Sequence, residues 1–194
     1  MRVLLFAFVL TACASASTGS DPAPATPPVA TTAAERFFPL EEGKIYSYAT
    51  HDSEDIGMLV ARVHRSDATH GELRLSNATQ RFAILPDGIT FVGGAYVLKA
   101  PLDAGASWPG VHGGTTTITS TDVALQVPAG SYAGCLETVE ERGRVPGARY
   151  ETTYCPGIGM ALLVVTAPVG NARAELKSYG APIKIEGSGL RVDH

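Results

Sequence analysis

The chain has little of what usually makes an enzyme, a nucleic-acid binder or a helical protein legible. It holds only three cysteines, and charged residues make up just 18% of its 194 positions. Lys and Arg are scattered rather than clustered and the formal net charge is only −4, so there is no electrostatic footprint for nucleic acid or for an anionic lipid surface. Beyond the first twelve residues no segment shows a long apolar period of 3.6 with caps, which argues against a helical protein. No Gly-rich loop precedes a helix to cradle a phosphate, and "EGSGL", Glu186 to Leu190, has the glycines but not the G-x-S-x-G spacing of a serine nucleophile. The five histidines, His51, His64, His70, His112 and His194, form neither His-x-His nor HExxH. Strand spacing scatters them, so neither a metal nor another cofactor is expected. The acidic "THDSEDIG", Thr50 to Gly57, lacks the spacing of a calcium loop and reads as a solvated hairpin tip.

What is present begins at the N-terminus. Arg2 is followed by "VLLFAFVL", Val3 to Leu10, an apolar run too short to span a bilayer, so residues 1–12 read as an export signal. The boundary "LTAC", Leu10 to Cys13, resembles the lipobox of bacterial lipoproteins. That resemblance implies acylation of Cys13 as the mature N-terminus and attachment to a membrane through the lipid. Each buried acyl CH₂ contributes about 0.8 kcal/mol, so several chains would anchor stably. Ala14 follows, not Asp, which is similar to the pattern sorted to the outer membrane in bacteria with two membranes. Ordinary cleavage after "ACA" or "ASA" is the alternative. Residues 13–34 are mostly Ala, Ser, Thr and Pro, with one charge before Ala34 and no aromatic, and read as a disordered tether.

The folded part is expected over residues 35–182, with a flexible tail at 183–194. Runs rich in Val, Ile, Thr, Tyr and Leu, broken by Gly, Pro, Asn and Asp about every ten residues, give the pattern of an all-β meander. Little helix is expected, a single turn at Arg65 to Thr69 or near Thr32 to Arg36. In "RAELKSY" the alternation points Ala174, Leu176 and Ser178 one way and Arg173, Glu175, Lys177 and Tyr179 the other. "MALLVV", Met160 to Val165, is apolar on both faces and reads as a strand covered on both sides.

Two segments share one pattern. "PLEEGKIY", Pro39 to Tyr46, and "PLDAGASW", Pro101 to Trp108, each place Pro, Leu, an acid, Gly and an aromatic at the same spacing. Pro fixes a turn, Leu reaches the core, Gly permits positive φ and the aromatic caps an edge, so each copy would open half of a curved sheet. "FPLEEGKIYSY", "VPAGSYAGCLETVE" and "YCPGIGMALL" together resemble a broad set of exported bacterial β-proteins. The resemblance runs from Phe38 to about Tyr179 and implies a single highly curved antiparallel sheet or incomplete β-barrel. The nearest architecture is that of the Lol-type lipoprotein carriers, from which this chain departs in lacking obvious lid helices. Within "VPAGSY", Tyr132 can bury its ring and find a hydroxyl partner. Tyr132 and Trp108 are the candidates for contact with a ligand.

Cys13 apart, Cys135 and Cys155 remain. If "AGCLETVEE" and "ARYETTYC" pair as a hairpin with Glu141 opposite Arg149, Cys135 falls opposite Cys155, within disulfide range. Unpaired buried thiols, or redox or metal chemistry, are the alternatives, and a bulge at Gly134 would spoil the register. The function expected is that of a non-enzymatic envelope lipoprotein whose β-domain binds an apolar ligand or an envelope protein. The alternative is a hydrolase with a site assembled from dispersed residues.

Overall fold

The computed structural model describes residues 32–53 and 55–181. The export signal, Cys13, nearly all of the tether, "EGSGL", His194 and the tail lie outside the described residues. Within them the meander takes the form of twelve strands in one antiparallel sheet. In chain order these are β1 (Ile45–His51), β2 (Ile56–Arg65), β3 (His70–Arg74), β4 (Thr79–Leu85), β5 (Gly88–Phe91) and β6 (Tyr96–Lys99). Then follow β7 (Ser107–Pro109), β8 (Thr115–Val127), β9 (Gly130–Glu141), β10 (Arg149–Cys155), β11 (Gly159–Ala167) and β12 (Gly170–Gly180).

The spatial order is β6-β5-β4-β3-β2-β1-β12-β11-β10-β9-β8-β7. Every ladder but one joins strands adjacent in sequence. The exception, β1 with β12, pairs Ile45 with Gly180 and welds two six-stranded halves together. The sheet then curls until its edges meet, where Trp108 Nε1 on β7 donates to the Tyr96 carbonyl on β6 at 3.1 Å. The result is a nearly closed barrel, as the curved-sheet reading expected. The run at 107–109 was not foreseen as a strand. A proline is tolerated there because β7 is the last strand of the sheet, where one side of the ladder needs no donor.

The repeated segments open the two halves in the same way. Residues 41–44 and 103–106 each make a turn closed by an i+3 amide, Lys44 N to the Glu41 carbonyl at 3.2 Å and Ala106 N to the Asp103 carbonyl at 3.0 Å. Gly43 (φ 77°) and Gly105 (φ 88°) occupy the third position, where a type II turn requires positive φ. Each glycine then donates to the strand that pairs next, Gly43 to Val63 and Gly105 to Ile118. The aromatics diverge: Trp108 seals the edge, whereas Tyr46 is buried inside the barrel.

One short helix, α1 (Ala33–Phe37), stands before the first strand. Thr32 and Glu35 form a reciprocal capping box, Glu35 N donating to Thr32 Oγ1 at 3.1 Å and Thr32 N to Glu35 Oε2 at 3.0 Å. This capping box lies just before Glu35, the residue at which the folded part is expected to begin. The segment following α1 closes one end of the barrel. Phe38 packs against Phe82 and Tyr154 with ring centroids 5.2 and 6.2 Å apart, and Leu40 is buried against Gly71. Arg65 to Thr69, the other helical expectation, is instead the β2–β3 turn, held by Arg65 and Thr69 hydrogen bonds to Asp67.

Two expectations about strand faces are corrected. Met160 to Val165 is not covered on both sides, since Leu162 and Val164 on the outer face are half-buried. A single barrel wall has one core, and its outer face stays wet whatever its side chains. In β12 the pairing shifts by one residue between Ser47 opposite Ser178 and Tyr48 opposite Leu176. This bulge reverses the alternation beyond Leu176 and turns Tyr179 to the side of Tyr46, with which it stacks at 6.4 Å.

The β9–β10 register keeps the expected sum, Glu140 opposite Tyr150 and Leu136 opposite Tyr154. Cys135 and Cys155 are joined as a disulfide, both fully buried, with Cα atoms 4.2 Å apart. The bulge at Gly134 (φ 65°) does exist, but it falls in the β8–β9 ladder, where Val123 faces Cys135 and Leu125 faces Tyr132. It therefore leaves the β9–β10 ladder in register.

Candidate functional site

The barrel interior is not filled. A cavity of about 320 Å³ runs inside it, at the lower end of the size range of small-ligand sites. Its walls are apolar and aromatic: Phe38 and Leu40 at the closed end, Tyr46, Tyr48 and Leu59 from β1 and β2, Phe82 and Phe91 from β4 and β5, and Met160 and Leu163 from β11. These positions are apolar because alternate residues of each strand point inwards, and the wide curl of the sheet leaves their tips apart. The tyrosines are held by their hydroxyls, Tyr48 donating to the Met160 carbonyl at 3.0 Å and Tyr46 to the Pro39 carbonyl at 3.4 Å. Burial pushes the phenols of Tyr46, Tyr48 and Tyr154 well up, so all three stay neutral.

One wall is different. Leu136, Thr138 and Glu140 are the successive inward residues of β9, and Glu140 is only 4% exposed. Its carboxylate is satisfied by the loop between β7 and β8, "GVHGG". Oε1 accepts from His112 N at 2.8 Å and Gly114 N at 2.9 Å, and Oε2 lies 2.9 Å from His112 Nδ1. Two loop glycines make room for this approach. A Cβ at Gly110 would stand 2.2 Å from Glu140 Cδ, and one at Gly114 would stand 2.1 Å from the Glu141 carbonyl oxygen. The imidazole stacks flat on Tyr150, 3.6 Å between centroids and 2° between planes.

Three donors converging on Glu140 define a carboxylate, and a carboxylate opposite Nδ1 fixes the proton on that nitrogen. In the neutral tautomer that this contact selects, Nε2 is the acceptor. Among the described residues no Ser, Thr or Cys side chain is hydrogen-bonded to His112. The pair thus has the base and orienting carboxylate of a hydrolytic triad without an attached nucleophile.

The candidates taken from the sequence lie elsewhere. Trp108 is buried at the β6–β7 seam, and Tyr132 donates to the Ala129 carbonyl at 3.2 Å across the β8–β9 turn. Neither lines the cavity. Thr50 to Gly57 is the β1–β2 hairpin tip, where Asp55 N donates to Asp52 Oδ1 at 2.9 Å. No group of three or more His, Cys, Asp or Glu side chains among the described residues is placed to hold a metal ion. The sequence did not point to Glu140, because an acidic residue in a strand is ordinarily read as facing solvent, nor to its meeting with His112 and Tyr150, which lie on other elements. The available signal was phase: Glu140 shares the inward alternation of Leu136 and Thr138.

No protein-family model and no curated protein matches the chain. Among solved structures, a Bacteroides fragilis protein described as exported and as having a YmcC-like fold aligns with a TM-score of 0.49 and 11% identity. That alignment covers 74% of this chain and 98% of the other. A Parabacteroides distasonis protein described as a lipoprotein aligns with a TM-score of 0.47 and 10% identity, over the same shares of the two chains, 74% and 98%.

Proposed function

We propose that this protein is an exported, lipid-anchored envelope protein whose barrel holds an elongated apolar ligand. The observation that carries the reading is the cavity of about 320 Å³ walled by aromatic and aliphatic side chains. A folded chain ordinarily closes such a space, because unfilled apolar volume forfeits dispersion contacts. An apolar guest restores them. The "LTAC" segment supports anchoring through Cys13, in the outer membrane of a bacterium with two membranes. Cys13→Ser is expected to release the protein from the membrane fraction.

The test of the cavity is titration with the fluorescent lipophile diphenylhexatriene. Saturable binding near one equivalent is expected, and both Ala61→Leu and Leu59→Trp, which fill the cavity from its wall, are expected to weaken it at least about tenfold, the equivalent of 1.4 kcal/mol. Unchanged binding in both folded variants would overturn the reading.

A second reading, contact with an envelope protein, is favoured by the outside of β2. Ile56, Met58 and Val60 form an exposed row, 82%, 64% and 42% accessible. β3 pairs with Arg62 to Arg65, so residues 56–61 present a strand edge that no described strand covers beside that row. A strand of the partner would add to this edge. Photocrosslinking from position 58 in cells is expected to give one discrete adduct, and no adduct removes this reading.

A further inference from the structure

We infer that Glu140 and His112 form the polar end of the ligand site and select a hydrogen-bond-donating head group, a hydroxyl, on an otherwise apolar ligand. The inference rests on the cavity reading and adds to it what the ligand must carry. Among the described residues lining the cavity, Glu140 and His112 are the two acidic or basic side chains, with no lysine or arginine beside them. The remaining polar positions are neutral: Gln80, Thr116, Thr138 and Thr152, besides the tyrosines. Arg144 does not line the cavity: its guanidinium donates to the Val111 carbonyl at 3.0 Å and borders a neighbouring groove that meets the cavity at Phe91, Val111 and His112. A carboxylate or phosphate head would meet no lysine or arginine among the described residues of the cavity wall, and would enter with the Glu140 carboxylate already there. Both anions are therefore disfavoured.

A hydroxyl meets the opposite situation. Glu140 holds the proton on Nδ1, Tyr150 covers one face of the ring, and Nε2 has no hydrogen-bond partner among the described residues. The side chain is 39% accessible, so a head group can reach that lone pair. The ring is clamped from two directions before any ligand arrives, and little ordering is left to oppose the new bond.

The experiment displaces diphenylhexatriene from the full chain in detergent at neutral pH with three probes of one chain length: dodecanol, dodecyl methyl ether and dodecanoate. Wild type is expected to bind dodecanol about tenfold more tightly than the ether, the worth of one well-placed hydrogen bond, and dodecanoate more weakly than dodecanol. Two variants should cancel the preference in opposite ways. His112→Phe removes the acceptor, so dodecanol falls to the level of the ether. Glu140→Gln places an amide N–H against Nδ1 and moves the ring proton to Nε2, so the ether gains a donor and rises towards dodecanol.

Equal displacement by alcohol and ether in wild type would overturn the inference while leaving the cavity reading standing, and so would dodecanoate binding tightest. A uniform loss for every probe in both variants would make the pair structural only. Failure of all three probes to displace the dye would refute the cavity reading and the inference with it. The wild-type comparison decides the matter even if a variant does not fold.

Discussion

Gly110→Ala isolates the contact that builds the polar wall. The added Cβ would lie 2.2 Å from Glu140 Cδ and 2.4 Å from both Glu140 Oε1 and Thr116 Oγ1, against ordinary contacts of 3.4–4 Å. The carboxylate must retreat by about 1 Å, and its three hydrogen bonds at 2.8–2.9 Å cannot survive that displacement. Parting a buried charge from its partners costs about 3–5 kcal/mol, and the alanine's lower unfolded-state entropy returns about 0.5 kcal/mol at most sites. A net loss of about 3–4 kcal/mol is a large part of the 5–15 kcal/mol typical of a domain and should lower Tm by about 10 °C. Urea unfolding followed by the fluorescence of Trp108, the single tryptophan, gives the value directly. The double variant with Glu140→Ala removes the obstacle, so the two changes should couple by at least about 2 kcal/mol. A cost under about 1 kcal/mol, or strict additivity with Glu140→Ala, would refute the account of Glu140 as a carboxylate gripped by the loop.

Three further outcomes follow from the same structure. Replacing Cys135 and Cys155 together by alanine frees a loop with a sequence separation of 20, which should lower stability by about 3 kcal/mol in the chain-entropy model; a denaturation midpoint equal to wild type would contradict it. Trp108→Phe removes the hydrogen bond that joins β6 to β7, at a cost of about 1 kcal/mol, and amide exchange should quicken selectively in those two strands. Asp67 is held at a pKa of about 2, below its ordinary 3.8, chiefly by the Thr69 hydroxyl and then the Thr69 amide. A depressed carboxylate stabilises the fold above its unfolded value, and that contribution is lost as pH falls through about 2. The Tm gap between wild type and Asp67→Asn should hold constant above about pH 5 and shrink below it, and a gap that opens on acidification has the wrong sign.

The sequence by itself determined what is local. Runs of strand-forming residues between turn residues marked every strand except β7, whose three residues are too few for a pattern. The paired segments at Pro39 and Pro101 announced the two openings of the sheet, because a type II turn restricts its residues within four positions. Counting outwards from a short hairpin loop placed Cys135 opposite Cys155, and needed nothing beyond the β9–β10 ladder. What closes the barrel is not local. Pairing Ile45 with Gly180 and bringing Trp108 against Tyr96 depend on the summed twist of twelve strands, which no single segment displays. Only that closure creates an interior. It also gave Glu140 a buried place that a glutamate in a strand does not suggest, and set His112 and Tyr150 against it from other elements. The one-residue slip in β12 that turns Tyr179 to the side of Tyr46 belongs with these, since a bulge is settled by the neighbouring strand it must match. Alternation and turns were therefore written in the sequence, while the cavity and its polar wall exist only where distant strands meet.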